Sequence, residues 1–211
     1  KVKGIIGMKI NGFVIEAGAK LVGADLPGAD LSDARLAYAD LTEADLTEAD
    51  LSGASLHSAN LTEAKLSMSN LSKANLDSAN LVRADLTKAN LSSSKLVYAN
   101  LKGADLTDAD LTDADLTSAD LDSADLIGAN LTGAKVSMAT LREAHLKGAN
   151  LKGANLRFAS LKGAGLEEAN LKGTDLTGAD LSRADLTGAK LDGAKFHKTT
   201  MPDGSVSKTS T

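Results

Sequence analysis

Ala104-Asp105-Leu106-Thr107-Asp108-Ala109-Asp110-Leu111-Thr112-Asp113-Ala114-Asp115-Leu116 states one five-residue phrase twice and begins it a third time. Outward from this stretch the phrase does not stop. Leucine recurs at every fifth position from Leu21 to Leu191, except at Val136, and the series closes on Phe196. Residues 19–198 therefore hold 36 units with no insertion or deletion. Two positions before each centre stands Ala in 33 of them, the exceptions being Ser69, Ser94 and Thr174. Asp or Asn lies between that small residue and the centre in 24 units. The two residues after each centre vary, mostly among Ser, Thr, Lys, Asp, Glu and Gly.

A period of five fits neither regular rhythm, because a strand repeats at two and a helix near 3.6. A helix would step the leucines by about 500° per unit and scatter them around its axis. The many Asp, Asn, Gly, Ser and Thr residues also oppose helix. What remains is a short extended piece and a turn in every unit. A turn with φ > 0 at its second central residue favours Gly there. Gly occupies the second residue after Leu at Gly128, Gly133, Gly148, Gly153, Gly163, Gly173, Gly178, Gly188 and Gly193. Type II turns are expected there, and other turns in the middle, where Glu63, Met68, Lys73, Ser78, Arg83, Lys88 and Ser93 stand.

Composition narrows the function. Of 211 residues 43% are hydrophobic but only 2% aromatic, so Leu and Ala must form a thin, uniform core. The chain has no cysteine, which excludes a disulfide framework and a zinc–thiolate site. A net charge of −5 gives no basic footprint, and no direct nucleic-acid binding is expected. No apolar run approaches the roughly 20 residues that cross a membrane. The apolar part of Lys1–Met8 is too short for a signal peptide. A soluble chain is expected, with the cytoplasm preferred over export.

The motif Ala-(Asp/Asn)-Leu-X-X resembles that of the pentapeptide-repeat family, which is common in bacteria and especially cyanobacteria. The resemblance runs over residues 19–198. It implies an all-β fold, a right-handed quadrilateral parallel β-helix with four pentapeptides per coil. Leu and the small residue two before it would point inward, the other three outward. Thirty-six units then make about nine coils, a rod about 40 Å long at the spacing of hydrogen-bonded strands. A solenoid of this kind buries its leucines only by stacking.

The ends depart from the repeat. Residues 1–18 read as a cap, a hairpin turning at Asn11-Gly12, with Ile5, Ile6, Ile10, Phe13 and Ile15 covering the first leucine layer. Residues 199–211 read as a turn over Met201-Pro202-Asp203-Gly204 and a frayed polar tail. Phe196 and Met201 would plug the last layer, and the open strand edge there invites a homodimer through the C-terminal end.

No constellation of catalytic residues is found. His57, His145 and His197 are spread along the chain, near no nucleophile, phosphate-loop or metal motif. Stacked side chains leave no cleft of the kind catalysis needs. With four units per coil, residues 20 apart share a column. Asp85, Asp105 and Asp125 would stack, but hydration and nearby lysines relieve their repulsion. No metal or cofactor is expected. Charge is banded along the axis: eight acids and one Arg in 21–50, eight acids and one Lys in 101–125, seven Lys or Arg against three Glu in 135–172. Some members of the resembled family, the quinolone-resistance and gyrase-protecting proteins, are thought to mimic DNA with an acidic rod. This chain departs from them, with Leu rather than Phe inside, no loops and a basic band. The stronger signal is a corner. Tyr38, Tyr98, Met138 and Phe158 fall in one column, with Arg157 beside it, and these residue types are enriched at protein interfaces. The expected function is a non-catalytic scaffold for a protein partner, the alternative a DNA mimic that binds a type II topoisomerase.

Overall fold

A computed structural model describes residues 8–208. The repeat closes on itself after four units, so every backbone bridge within it joins residue i to residue i+20 in parallel. One such column runs Lys20–Asp40–Asn60–Asn80–Asn100 and continues through Asp180–Thr200. The molecule is thus a quadrilateral parallel β-helix. Each side of a coil contributes one extended residue pair and each corner one turn.

The consensus follows from where the five amides of a unit go, since buried N–H groups must find acceptors. Four are served by backbone. In the unit of Leu61, the Leu61 amide donates to the Asn80 carbonyl at 2.7 Å and the Glu63 amide to the Val82 carbonyl at 3.0 Å, both one coil on. The Asn60 amide donates back to Ala39 at 2.9 Å, and the Ala64 amide closes the turn on Leu61 at 3.0 Å. The fifth, on the residue after Leu, has no backbone acceptor. The Asp or Asn side chain takes it, as in Thr62 N–H to Asn60 Oδ1 at 3.2 Å and Thr107 N–H to Asp105 Oδ1 at 2.9 Å. This is an Asx-type bond from a residue to the backbone two positions on.

The turn is uniform, which corrects the expectation of mixed types. The second residue after Leu has positive φ whether it is Gly148 at 67° or Lys88 at 56°, Ser93 at 56° and Met68 at 57°. Backbone bonds on both sides fix that corner, so the geometry between coils rather than the local residue decides φ. Glycine there is a relief of strain and not a requirement.

Inside, Leu21 through Leu181 and Val136 are fully buried, interleaved with alanines. The three non-alanine small residues keep the interior satisfied. Ser69 and Ser94 donate their hydroxyls to Leu66 and Leu91 carbonyls at 2.7 and 2.6 Å, and Thr174 donates to Leu151 at 2.8 Å.

At the N-terminal end, strands β1 (Met8–Ile10) and β2 (Phe13–Ile15) pair antiparallel across Asn11-Gly12, both with positive φ. Ile15 is buried, and Met8, Ile10 and Phe13 pack against the core. Ile5 and Ile6 lie outside the described residues. The C-terminal tail is not frayed at Ser205–Ser207, another correction. Val206 bridges Thr200 antiparallel, and the Ser207 amide donates to Thr199 at 2.9 Å.

Candidate interaction surface

The five corner residues sit as outward points of the rigid turn just described. Tyr38, Tyr98, Met138 and Phe158 are 66, 69, 56 and 59% exposed. The column they share is interrupted. Met138 and Phe158 stand on adjoining coils, Tyr98 lies two coils below Met138 with Ser118 between, and Tyr38 is three coils farther, past Ser78 and Ser58. Their backbones are clamped: Tyr98 N–H donates to Thr117 at 3.1 Å, Met138 N–H to Arg157 at 2.9 Å and Phe158 N–H to Thr177 at 3.0 Å. The Phe158 ring leans over Gly178, 2.5 Å from where a Cβ on that residue would stand. The Arg157 guanidinium is 5.5 Å from the ring centre, a cation–π distance, and also reaches Asp175 at 3.4 Å. Tyr38 meets His57 edge to face at 5.6 Å, away from the other four.

Beside this corner the bands of charge meet. Lys135, on the side before it, reaches back one coil to Asp115 at 3.4 Å, and Arg142, at the next corner, reaches back to Asp122 at 2.5 Å. Asp122 is only 8% exposed. It accepts from the Arg142 backbone amide and Nε, each at 2.9 Å. The reason lies in the repeat: position 140 is Thr, so the amide of Arg142 lacks its usual carboxylate and takes one from the coil below. Val97 N–H does the same with Asp77 at 2.9 Å, since position 95 is Lys. Burial alone would push the Asp122 carboxyl up, but the bonds from the Arg142 side chain and backbone hold it below its usual range. Sequence reasoning passed over Asp122 because it read the band as surface charge. The signal was the missing Asp or Asn at position 140.

Just beyond, Arg142, Lys147, Lys152, Arg157 and Lys162 follow five successive leucines, so one full coil carries a cation on every side. Lys147 pairs with Glu168 at 3.9 Å and, one coil on, Lys172 pairs with Asp192 at 3.0 Å.

Phe196 and Met201 lie at the other candidate contact, the C-terminal end. Both are half-buried, as are Leu186 and Leu191 of the same layer. The hairpin over residues 199–207 occupies one side of this coil. Lys198 N–H donates to Ser207 at 3.2 Å and Met201 N–H to Ser205 at 2.7 Å. Among the backbone bonds described, the amides of Leu186, Leu191 and Phe196 make none, whereas those of Leu166, Leu171 and Leu176 each reach the next coil.

Among the described residues, His145 is the one histidine that faces a carboxylate, Asp125, at 4.0 Å. Among the described residues no group of three His, Cys, Asp or Glu is placed to hold a metal, and no helix is long and apolar enough to cross a membrane.

A parallel β-solenoid with its inward positions spent on packing, and large side chains exposed at its corners, is the class these features define. The profile of pentapeptide repeats matches in eight copies over 17–53, 54–92, 94–133, 109–148, 124–167 and 166–201, and the chain belongs to the pentapeptide-repeat family. Its fold is the right-handed quadrilateral β-helix of that family. The chain is 40% identical to HetL from the cyanobacterium Nostoc sp. strain PCC 7120, a pentapeptide-repeat protein involved in heterocyst differentiation regulation, over 90% of each chain with a TM-score of 0.39. It is 21% identical to QnrB1, a plasmid-mediated fluoroquinolone resistance protein, over 85% of this chain and 84% of that one, with a TM-score of 0.54. A third likeness, to Rfr23 from the cyanobacterium Cyanothece 51142, is 36% identical over 52% of this chain and 58% of that one, with a TM-score of 0.31. No curated protein sequence matches significantly.

Proposed function

We propose that this chain is a non-catalytic scaffold that binds a protein partner through the corner of Tyr98, Met138, Arg157 and Phe158, with Tyr38 a separate outlying contact. The observation that carries this reading is that large apolar side chains more than half exposed are held on turns clamped by backbone bonds. A rigid support loses little conformational entropy on binding. The alternative, a DNA mimic acting on a type II topoisomerase, draws on the acidic bands at 21–50 and 101–125. It needs a continuous acidic surface, and the cationic coil at 142–162 interrupts one. A second contact, end-on with another copy through Phe196 and Met201, draws on the strand edge there, whose Leu186, Leu191 and Phe196 amides make no backbone bond among the described residues.

Affinity capture from extract of the source cell, with wild type beside Phe158→Ser, tests the main reading. Partners held by wild type and lost with the variant support it. Partners held equally by both overturn it. A changed supercoiling rate of purified gyrase would carry the alternative instead.

A further inference from the structure

We propose that the partner of this corner is a second copy of the chain, laid alongside and running in the opposite direction. The inference rests on the interface role given above to the corner. It names the occupant from the order of residues along the rod.

Along the corner column the sequence from coil to coil is Tyr98, Ser118, Met138, Phe158. A two-fold axis set between the coils of Ser118 and Met138 reverses this order. It places Tyr98 against Phe158 of the second copy, and Ser118 against Met138. Both aromatic rings then meet an aromatic ring, and the pattern is self-complementary, as a closed two-fold interface requires.

The charges beside the corner have the same symmetry. On the side before it Asp115 and Lys135 form an axial pair at 3.4 Å, and at the next corner Asp122 and Arg142 form one at 2.5 Å. In every case the acid lies on the coil of Ser118 and the cation on the coil of Met138. The antiparallel arrangement sets Asp115 opposite Lys135 of the second copy, and Asp122 opposite Arg142. Each flank becomes two dipoles side by side and head to tail, which attract. A parallel arrangement would set acid against acid and cation against cation, which repel. Farther out, Lys102 would face Lys162, a like-charge contact at the margin where solvent screens it. The banding therefore selects one orientation of self-association over the other.

The area is small. A corner engages a line of side chains rather than a face, below the roughly 800 Å² per partner of stable complexes. Association is accordingly weak, with a Kd of order micromolar, and it weakens with salt.

Sedimentation velocity on the full chain from about 1 to 300 μM, a range spanning that Kd, is the test. The mass should rise from that of one 21.5-kDa chain toward twice that value. Phe158→Ser should raise Kd at least about tenfold, as loss of an interface anchor does. Lys135→Asp should also weaken association, and Asp115→Lys combined with Lys135→Asp should restore it, an exchange that a purely structural effect would not rescue. A spin label on Asp192→Cys, about three coils from the axis, distinguishes the geometries. Antiparallel pairing holds two labels on the order of 30 Å apart along the rod, whereas end-on stacking brings them to one junction. A single chain at every concentration, or a dimer that Phe158→Ser leaves intact, overturns the proposal. If the chain stays single while Phe158→Ser still abolishes capture of another protein, the corner remains an interface and only its occupant was wrong.

Discussion

At the scale of a residue, the second position after each Leu, inside the turn, shows how the backbone overrules its occupant. Ser93 and Gly148 hold nearly the same φ, 56° and 67°. An L-residue in this left-handed region costs about 1–2 kcal/mol, while glycine adds about 0.4–1 kcal/mol of unfolded-chain entropy. Ser93→Gly should therefore stabilise by up to about 1 kcal/mol. Gly148→Ala should destabilise by about 1 kcal/mol or more, although a Cβ there meets nothing within 4 Å. Thermal unfolding of the two variants measures both signs; a stabilised Gly148→Ala would contradict the φ argument. Leucine and alanine facing were plain in the sequence, because burial imposes them at every unit. The uniform turn was not, because φ at Lys88 or Glu63 is set by bonds to coils before and after. The role of Asp122 was equally hidden. Asp122→Ala should cost about 1–3 kcal/mol, the range for stranding a buried hydrogen-bonding group. Asp122→Asn should cost less, since it keeps an acceptor for the Arg142 amide.

At the scale of an element, the coil is a layer of four leucines and four small residues with no spare volume. Ala109 is 1% exposed. Ala109→Leu should overpack the layer and cost at least about 1–3 kcal/mol, whereas Thr107→Leu, facing outward two residues earlier, should change little. Equal melting temperatures for the two would refute the assigned facing. The last described coil differs from the rest because the amides of Leu186, Leu191 and Phe196 make no backbone bond among the described residues. Its open strands should be the least protected. Hydrogen exchange should run fast at the amides of Leu186 and Leu191 and slowly at those of Leu166 and Leu171, which bond the next coil at 2.8 Å each. The turn over Met201–Gly204 was legible in the sequence, but the pairing of Val206 and Ser207 beyond it was not. The residues there are polar and short, and Val206 alone gives no periodicity; pairing comes from a strand edge that exists only once the rod is built.

At the scale of the whole molecule, the carboxylates that hold the turns make the rod sensitive to acid. The carboxyl of Asp40 lies below its ordinary 3.8 chiefly through the Thr42 hydroxyl, and that of Asp180 chiefly through Ser182. A carboxyl lowered in the folded state binds fewer protons folded than unfolded. Its contribution is complete above the unfolded value and is lost as pH falls through the folded one. Tm should therefore stay level from about pH 7 to 5 and drop below about pH 4. Scanning calorimetry across that range checks it, and a flat Tm down to pH 2 would remove the carboxylates from the account. The 20-residue register has one more consequence, for inheritance. Losing or gaining a single pentapeptide costs the interior nothing, since every layer is alike. Yet everything downstream is turned by a quarter revolution relative to everything upstream. Where the change falls between them, Tyr98 and Phe158 would look in different directions from a chain that folds as well as before. Selection on stability is blind to such a change, and only selection on what the surface meets can detect it. The rod keeps its phase for as long as something outside it reads the columns.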